Sequence, residues 1–402
     1  MATGQKKIRV LFVEVTAQMG GVEVTTLQTA SLLDHKQFDV TLVVPEEGDL
    51  TRLAQKRNIQ IQIIMLPKFP SVSIQLGDKS IANPVAIVWD GILCIYAAIR
   101  LTAFLRKNKA DLLCTKGLFA HMYGGLAAYL IRIPCVWHVQ EIVDSKRYRG
   151  LFLLIFKYSA LLFADKIIAD ADAVATQFDL PKLRLKTQVI YNGVDIHHYK
   201  PTNNSLNYRK KLCIPSHYFV IGCVARLMRG KGQHVIIEAF YLLAKKYPEL
   251  FLILVGKGLF DHDEYEIRLR YLVQNLKLEG RVLFLGFIED SAIAFNAFDI
   301  AVHNSLEPDS PLSVVEAMMS GCPLILSNVP GCREMVKEGD AILIPPYNPV
   351  LLAEMIELLY KDSDLRKRMS KTARNSAIQR FSLKHYISQI EKIFSDAIQS
   401  SH

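Results

Sequence analysis

Acidic and hydroxyl side chains crowd into one segment of the sequence, HNSLEPDSPLSVVEAMMSGCPLIL, residues 303–326. Glu307 and Asp309 lie in its Pro/Ser-rich first half, and Glu316 follows where the pattern becomes helical. Glu316, about a turn inside the helix, could accept two hydrogen bonds from a ribose, or it could merely favour the helix dipole. Hydroxyls and free backbone N–H groups for a phosphate are expected at the helix start, which comprises Ser310, Pro311, Leu312 and Ser313.

A pair of cations follows another predicted strand. In VARLMRGKGQHV, Arg226 ends the strand and Lys231 opens the next helix. Parallel sheets bind ligands at the carboxyl ends of their strands. The guanidinium, the ammonium and the helix N-terminus could together hold a diphosphate, and the alternative is a solvated basic loop.

Glycines and one aromatic residue end further strands. Gly256 and Gly258, in LVGKGLF, predict either a tight turn that faces a ligand or a plain connector. A nucleobase could lie against the end of LFLGFIED, which includes Phe287, although a packing turn is equally compatible with that segment. Gly20 and Gly21 separate the first strand from the first helix, where glycine lets a backbone turn sharply or approach an anion.

Histidine and glutamate stand near the strand PCVWHVQEI in the first half of the chain. An imidazole at the end of a strand, here His138, can donate to a sugar or exchange a proton with a leaving group. A buried histidine with satisfied hydrogen bonds is the alternative. Glu141 follows on the same segment, and His121, in GLFAHMYGG, is a weaker candidate.

The composition excludes several classes of protein. Half of the 402 residues are hydrophobic, which indicates a globular chain. Seven scattered cysteines without a CxxC spacing predict free thiols in a reducing compartment, and no metal site. The net charge of +9, concentrated in residues 1–200, fits an anionic partner or solubility alone. A nucleic acid is not expected, because no basic stripe is interleaved with aromatic residues.

Apolar strand-like runs alternate with amphipathic helices, and the alternation restarts after residue 215. This rhythm predicts two α/β domains, each with a parallel sheet covered by helices on both faces. The predicted domains are residues 1–198 and 199–384, joined by a polar, turn-rich seam.

Two apolar stretches could touch a membrane. Residues 85–105 contain Asp90 and Arg100, which makes them a poor spanning helix. Residues 150–164 are too short to span, but the basic cluster KRYR precedes them. Core helices are one interpretation of these stretches. The other is a peripheral contact of residues 146–164 with anionic lipid.

The combined motifs resemble the GT-B retaining glycosyltransferases of family four over nearly the whole chain. The order of the motifs is more specific than any one of them. They are GGVE (20–23), WHVQE around His138, YNGVD (191–195), ARLMRGKG, GKG (256–258), FLGF (284–287) and EAMMSGCPLI (316–325).

The resemblance implies two facing Rossmann-like domains with a cleft between them. The first would bind the acceptor, with His121 and Glu141 on its side, and a helix at 385–402 would pack back onto it. The second would bind a nucleotide-diphosphate sugar. Arg226 and Lys231 would neutralise the diphosphate in place of a metal, Glu316 would bind the ribose, and His138 would lie near the transferred sugar.

One departure from the family pattern concerns the first acid. In the family, seven residues separate the paired glutamates, and that position here is Pro308. The contact with the donor sugar is therefore open between Glu307 and Asp309. The longer side chain of Glu307 is favoured, because a loop with two prolines absorbs a one-residue bulge.

The expected function is retaining transfer from a UDP- or GDP-sugar to a hydroxyl acceptor, in cell-envelope polysaccharide or glycolipid assembly. The expected acceptor is a sugar or a lipid-linked sugar. The expected location is the cytoplasm, including the inner face of the membrane. A GT-B sugar-nucleotide epimerase and a non-catalytic nucleotide-sugar-binding protein are the alternatives.

Overall fold

The computed structural model describes residues 7–67, 69, 73–76, 79–82, 84–143, 151–202, 205–258, 264–308 and 310–400. Asp309 and the basic cluster at 146–149, both named in the sequence analysis, lie outside the described residues.

The first 191 residues alternate strands and helices. The strands are β1 (Ile8–Val13), β2 (Phe38–Val44), β3 (Gln60–Ile63), β4 (Ser73–Leu76), β5 (Lys79–Ala82), β6 (Leu112–Thr115), β7 (Cys135–Val139), β8 (Lys166–Ala169) and β9 (Thr187–Val189). The helices are α1 (Gly21–Leu32), α2 (Asp49–Lys56), α3 (Pro84–Lys107), α4 (Leu118–Ile131), α5 (Leu151–Phe163), α6 (Asp172–Ala175) and α7 (Pro181–Lys186).

Seven of these strands form one parallel sheet in the order β3-β2-β1-β6-β7-β8-β9. β4 and β5 form a separate antiparallel pair. Every residue of β6 and β7 is buried, as expected for strands that helices cover on both faces.

The second half of the chain repeats this alternation. Its strands are β10 (Phe219–Val224), β11 (Leu250–Val255), β12 (Val282–Gly286), β13 (Ile300–His303), β14 (Leu324–Ser327) and β15 (Ala341–Ile344). Its helices are α8 (Ser205–Lys211), α9 (Gln233–Ala244), α10 (Glu264–Asn275), α11 (Ser291–Phe295), α12 (Leu312–Met319), α13 (Pro349–Lys361) and α14 (Ser363–Arg380).

The six strands of this half are also parallel, in the order β12-β11-β10-β13-β14-β15. The fold class is therefore the predicted one, with two parallel-sheet α/β domains. A short 3-10 turn, Arg229–Lys231, joins β10 to α9.

The chain divides into two compact units after Tyr191 and again after Lys384, so the predicted boundary at 198/199 comes a few residues too late. The polar seam belongs to the second unit because its groups bond there. The Val194 N–H donates to the Phe381 carbonyl (2.8 Å), and the Leu383 N–H donates to the Val194 carbonyl (3.1 Å). The sequence does not mark these backbone bonds.

The last helix, α15 (Leu383–Gln399), packs on the first unit. The hydroxyl groups of Tyr386 and Thr29 are 3.0 Å apart, and the Asp34 N–H donates to Glu391 Oε1 (2.8 Å). The rings of Phe12 and Phe394 are 6.0 Å apart. The residues from His385 onward therefore complete the first unit, although they come last in the chain.

Each sheet reverses its winding direction once, between β1 and β6 in the first unit and between β10 and β13 in the second. Loops that leave the carboxyl ends of two such strands diverge and leave a crevice, which is where open α/β sheets bind ligands. We call these two places the β1/β6 crevice and the β10/β13 crevice.

Candidate active site

The loop after β10 brings the predicted cations to the β10/β13 crevice. Arg226 is exposed there, and its backbone carbonyl accepts a hydrogen bond from the buried Gln233 side chain at 2.7 Å. Lys231 ends the 3-10 turn directly before α9 and is half-buried. The backbone of this loop is thus held by the helix that follows it, while the Arg226 guanidinium stays open to solvent.

The loop after β13 interlocks with this cationic loop. The Leu306 N–H donates to the Gly230 carbonyl at 2.8 Å. Gly232 has φ +63°, and a Cβ there would lie 2.3 Å from the Asn304 carbonyl oxygen. Glycine is therefore required at 232, because any side chain would separate the two loops.

The same interlock sets the position of Glu307. Its Oε2 lies 3.5 Å from the point where a Cβ on Gly230 would stand. The exposed Glu307 carboxylate therefore lies over the backbone between Arg226 and Lys231. The structure brings these three predicted residues to one edge of the sheet.

The start of α12 lies on the same side of this crevice as Glu307. Pro311 precedes the first helical residue, and the N–H groups of Leu312 and Ser313 belong to the first turn, which has no partners within the helix. The buried Ser310 hydroxyl has no hydrogen-bond partner among the residues that the structure describes. An unpartnered hydroxyl beside free N–H groups is suited to an anionic oxygen.

Glu316 is buried inside α12, and both of its oxygens accept hydrogen bonds. Tyr199 Oη donates to Oε1 at 3.0 Å, and Ser291 Oγ donates to Oε2 at 2.8 Å. Burial raises the pKa of Glu316 above 4.5, while these two hydrogen bonds oppose that rise. Each oxygen keeps a lone pair that could accept a hydroxyl group.

The remaining predicted residues of this unit follow β11 and β12. Gly256 has φ +137°, and a Cβ there would lie 2.0 Å from the Ala225 carbonyl oxygen, so close approach of the two strand ends requires this glycine. Gly258 is half-buried two residues later. The Phe287 ring is 43% exposed, with Lys257 Nζ 5.8 Å from its centroid. The exposed ring could stack against a planar base.

The β1/β6 crevice contains buried charges. Glu14 follows β1 and Lys116 follows β6, and both are sealed from solvent. Lys116 Nζ donates to Thr25 Oγ1 at 3.0 Å, and Thr26 Oγ1 donates to the Glu14 carboxylate. Burial, with the nearby charge of Glu23, raises the pKa of Glu14 from 4.5 to about 8.

Gly20 and Gly21 lie at the start of α1, beside this crevice. Gly20 has an extended backbone, φ −147°, so the sharp glycine-dependent turn that the sequence suggested is not formed there. No atom lies within 4 Å of a Cβ built on Gly21. The open space over Gly21 leaves room for a ligand, while the conformation itself does not demand glycine.

His138, on β7, is buried, and its Nε2 has no hydrogen-bond partner in the described part of the chain. Burial lowers the pKa of His138 well below 6.5, and the charge of Lys116 lowers it further. The imidazole is therefore neutral near pH 7. The unpartnered Nε2 does not fit the satisfied core histidine that was the alternative, and the contact with a sugar stays a prediction.

His121 and Glu141 have structural partners that the sequence analysis did not foresee. The His121 ring is buried against Trp137 with centroids 5.1 Å apart, and its Nδ1 lies 2.8 Å from Thr115 Oγ1. Burial lowers the pKa of His121 to about 3. Glu141 Oε1 accepts from the Leu118 N–H (3.0 Å) at the start of α4. These contacts do not test the acceptor-side role, which stays a prediction for both residues.

Sequence reasoning missed Lys116, Glu14 and Tyr199. Lys116 and Glu14 each directly follow a buried strand, a signal that the sequence does contain. Tyr199 is the first residue of the predicted second domain and lies 117 positions before Glu316, so their hydrogen bond had no local sequence signal. Among the described residues, no group of three or more His, Cys, Asp or Glu side chains could hold a metal ion.

Two family models match successive halves of the chain. The model described as Glycosyltransferase Family 4 matches residues 19–198, and the model described as Glycosyl transferases group 1 matches residues 204–376. Together they cover most of both units.

Relatives and solved structures agree with these matches. An Escherichia coli protein, UDP-Gal:alpha-D-GlcNAc-diphosphoundecaprenol alpha-1,3-galactosyltransferase, is 26% identical over 99% of each chain. The D-inositol 3-phosphate glycosyltransferase of Corynebacterium glutamicum is 25% identical over 96% of this chain and 94% of its own. The crystal structure of Anabaena HepE with UDP-glucose has 26% identity and a TM-score of 0.82, covering 97% of this chain and all of that one.

Proposed function

This chain belongs to the GT-B glycosyltransferases of family four, and on that premise we propose that it transfers a sugar, with retained configuration, from a UDP-sugar to a hydroxyl acceptor. Glycosyl transfer from a nucleotide sugar is the activity of the enzyme. The proposal adds to this activity the retained configuration, the nucleotide, the acceptor and the roles of single residues.

The observation that carries the proposal is the convergence at the β10/β13 crevice. An exposed guanidinium, a lysine, the start of α12 and a carboxylate meet at one edge of the sheet. In this proposal, Arg226, Lys231 and the first N–H groups of α12 bind the diphosphate and stabilise it as it leaves. No metal is required, because preplaced cations and dipoles supply the same stabilisation.

The proposed step exchanges one bond for another on the same face of the sugar. The bond between the anomeric carbon and the diphosphate oxygen breaks, and the acceptor oxygen bonds to that carbon. The acceptor proton passes to the departing diphosphate oxygen. Neutral His138 would donate a hydrogen bond to the transferred sugar without adding a positive charge to the site.

Binding of the nucleoside is assigned to two side chains of the second unit. Glu316 would accept both ribose hydroxyls through its remaining lone pairs, and Phe287 would lie against the base. Gly256 and Gly258 would let the backbone approach the ligand. Glu307, rather than Asp309, would contact the donor sugar.

UDP is favoured over GDP by the relatives. HepE binds UDP-glucose in its crystal structure, and the E. coli relative is named for UDP-galactose. The diphosphoundecaprenol in that name supports a lipid-linked acceptor and a role in envelope polysaccharide assembly at the inner membrane face. The first unit would bind this acceptor, and Glu141 would lie on the acceptor side. An epimerase or a non-catalytic binding protein is not favoured by the relatives.

A thermal-shift screen against UDP-, GDP-, ADP- and dTDP-sugars tests the nucleotide, because a bound ligand raises the melting temperature by mass action. We expect the UDP-sugars alone to shift it. NMR of the glycoside formed with a lipid-diphosphate acceptor then reads the anomeric configuration. An inverted product would refute retention, and a shift with GDP-sugars only would refute the nucleotide assignment.

A further inference from the structure

Helix α3 is apolar on two opposite faces, only one of which is packed. Its inner face joins the core of the first unit through Ala86, Cys94, Ala97, Ala98, Leu101 and Leu105. Its outer face carries side chains that are each 50–77% exposed. We call them the α3 stripe: Val85, Val88, Trp89, Ile92, Ile95, Tyr96 and Ile99.

The α3 stripe is continuous along the helix. Its members recur at spacings of three and four residues, which places them on one side of the helix. Monomeric soluble proteins rarely expose apolar surface of this kind without a partner. A helix that is apolar all round is usually buried, and here its own unit buries only the inner face.

Length and composition alone would let α3 cross a membrane. Within the described residues, Val85–Lys107 is the one helix that passes this test, with a mean hydropathy of 1.7. Its inner face, however, packs in the same core as Leu113 of β6 and Tyr123 of α4. A spanning helix would have to abandon that core, whereas a helix lying on a membrane surface would keep it.

The exposed charges of α3 itself are of one sign. Exposed Arg100, Arg106 and Lys107 continue the same side of the helix toward its carboxyl end. Asp90 is the only acid in the sequences of α3, α4 and α5, and it is buried on the inner face. A surface that is apolar along most of its length and cationic at one end complements an anionic bilayer.

The aromatic members fit the same environment. Trp89 and Tyr96 have apolar rings with one polar atom each, the composition found at the boundary between lipid headgroups and acyl chains. Arg100 Nη1 donates to Tyr96 Oη at 3.1 Å, which keeps the guanidinium beside the phenol. Cation and ring would therefore meet the headgroup layer together.

We propose that the α3 stripe docks this enzyme on an anionic lipid surface, with α3 lying in the plane of the headgroup–acyl boundary. This inference rests on the proposed lipid-linked acceptor, whose carrier is held in such a surface. It places the main contact on α3 and not on residues 146–164. The cation of α5, Lys157, is already paired with Asp179 at 2.7 Å, although α5 adds exposed Leu154, Tyr158 and Leu162.

A second copy of the chain fits the α3 stripe less well than lipid does. The three cations would need carboxylates on the facing surface, and the three neighbouring helices α3, α4 and α5 expose none. Pairing two such faces would bring arginines and lysines onto apolar side chains or onto each other, which is unfavourable.

The two tryptophans of the chain make the docking directly measurable. Trp89 is half exposed on the α3 stripe, whereas Trp137 is fully buried. Vesicles of phosphatidylcholine with phosphatidylglycerol should shift the emission to the blue, and bromine on the acyl chains should quench it. Trp89→Phe should abolish both signals while vesicle flotation persists. An unchanged emission of the wild-type protein would overturn the proposal.

A pair of variants isolates the α3 stripe from general surface apolarity. Ile92→Ser with Ile95→Ser should weaken the partition into anionic vesicles at least ~10-fold. Leu242→Ser with Leu358→Ser, which removes two exposed leucines of the second unit, should not change it. Equal partition of both double variants would overturn the proposal.

Three further readouts separate this proposal from its rivals. Release of the vesicle-bound protein by high salt is expected, and resistance to alkaline carbonate would indicate a spanning helix instead. Sedimentation showing a dimer that Ile92→Ser with Ile95→Ser dissociates, without lipid binding, would assign the face to a second copy. The rate of UDP-sugar hydrolysis in detergent-free buffer should be the same for the wild-type protein and for Ile92→Ser with Ile95→Ser. A loss of this hydrolysis would show a defect in the fold or in the proposed function, and not in the docking.

Discussion

The two crevices have the same topology and opposite solvation. At the β10/β13 crevice, Arg226 and Glu307 are exposed at the strand ends. At the β1/β6 crevice, the corresponding charges, Glu14 and Lys116, are sealed from water and bond to the first turns of α1. An exposed cation can receive an anionic ligand, whereas a buried one is already engaged.

Because of this difference in solvation, removing a charged side chain should have different effects in the two units. Loss of a buried charge leaves its partner unpaired in a medium of low dielectric constant, which lowers stability. Loss of an exposed charge leaves stability nearly unchanged and affects only the ligand. Stability and rate are therefore the two measurements that separate the crevices.

Lys116→Met should give the largest effect, a loss of about 3–5 kcal/mol in the free energy of unfolding at pH 9. Folding raises the pKa of Glu14 to about 8, so the stability of the folded state falls as pH rises from 4.5 through 8. The nearby Lys116 charge opposes that rise, and its removal extends the loss to higher pH. The free energy of unfolding at each pH is measured by denaturant titration, with circular dichroism as the signal.

Two controls accompany this variant. Lys109→Met, which removes an exposed lysine after α3, should change the free energy of unfolding by less than ~0.5 kcal/mol. Adding Glu14→Gln to Lys116→Met should restore part of the stability at pH 9, because no buried carboxylate remains to ionise. If Lys116→Met and Lys109→Met are equally stable at every pH, the buried crevice has no electrostatic role.

Arg226→Ala and Lys231→Ala should each lower kcat by about 10²–10³ without a comparable loss of stability. The missing cation no longer stabilises the charge that develops on the diphosphate. Steady-state kinetics with a UDP-sugar, beside thermal unfolding, measures both quantities. Arg268→Ala, an exposed arginine of α10, is the matched control. A large drop in melting temperature for Arg226→Ala would contradict the expectation that removing a charge at the β10/β13 crevice leaves stability nearly unchanged.

Glu307→Ala should lower kcat/KM for the donor by about 10–100-fold, the value of a hydrogen bond to a charged group. Asp309→Ala should stay near the wild-type rate. The pair decides which acid contacts the donor sugar, since the two variants differ only in position along one loop. The reverse result would assign the contact to Asp309.

Tyr199→Phe should have the smallest effect, a few-fold change that depends on pH. The hydrogen bond from Tyr199 lowers the pKa of Glu316, so its loss should raise that pKa further. A protonated Glu316 accepts ribose hydroxyls poorly, and the acidic limb of the kcat/KM profile should therefore move to higher pH. A limb that does not move would exclude Glu316 as the group that titrates there.

Most strands of the two parallel sheets were predictable from sequence, whereas several short strands were not. The strand predicted in PCVWHVQEI matches β7, because a continuous apolar run is a clear signal for a strand that is covered on both faces. Two of the short strands, β9 and β15, were not identified. Short strands owe their conformation to pairing with a neighbour, which no local pattern records.

For the candidate site, sequence indicated which loops matter but not which side chains are solvated. Arg226 and Glu307 lie where the motifs placed them. The buried rings of His138 and His121 lie beside residues of other elements, Tyr386 of α15 and Trp137 of β7. The bond from Tyr199 to Glu316 joins residues 117 positions apart and has no local signature.

The return of α15 to the first unit also sets the order in which a nascent chain can fold. Phe12 and Phe38 can pack against the ring of Phe394 only after almost the entire polypeptide has been synthesised. At roughly 5–20 residues per second, the ribosome leaves those rings without their partner for tens of seconds. The continuous second unit is complete before the first one can close, so during synthesis the later half matures first.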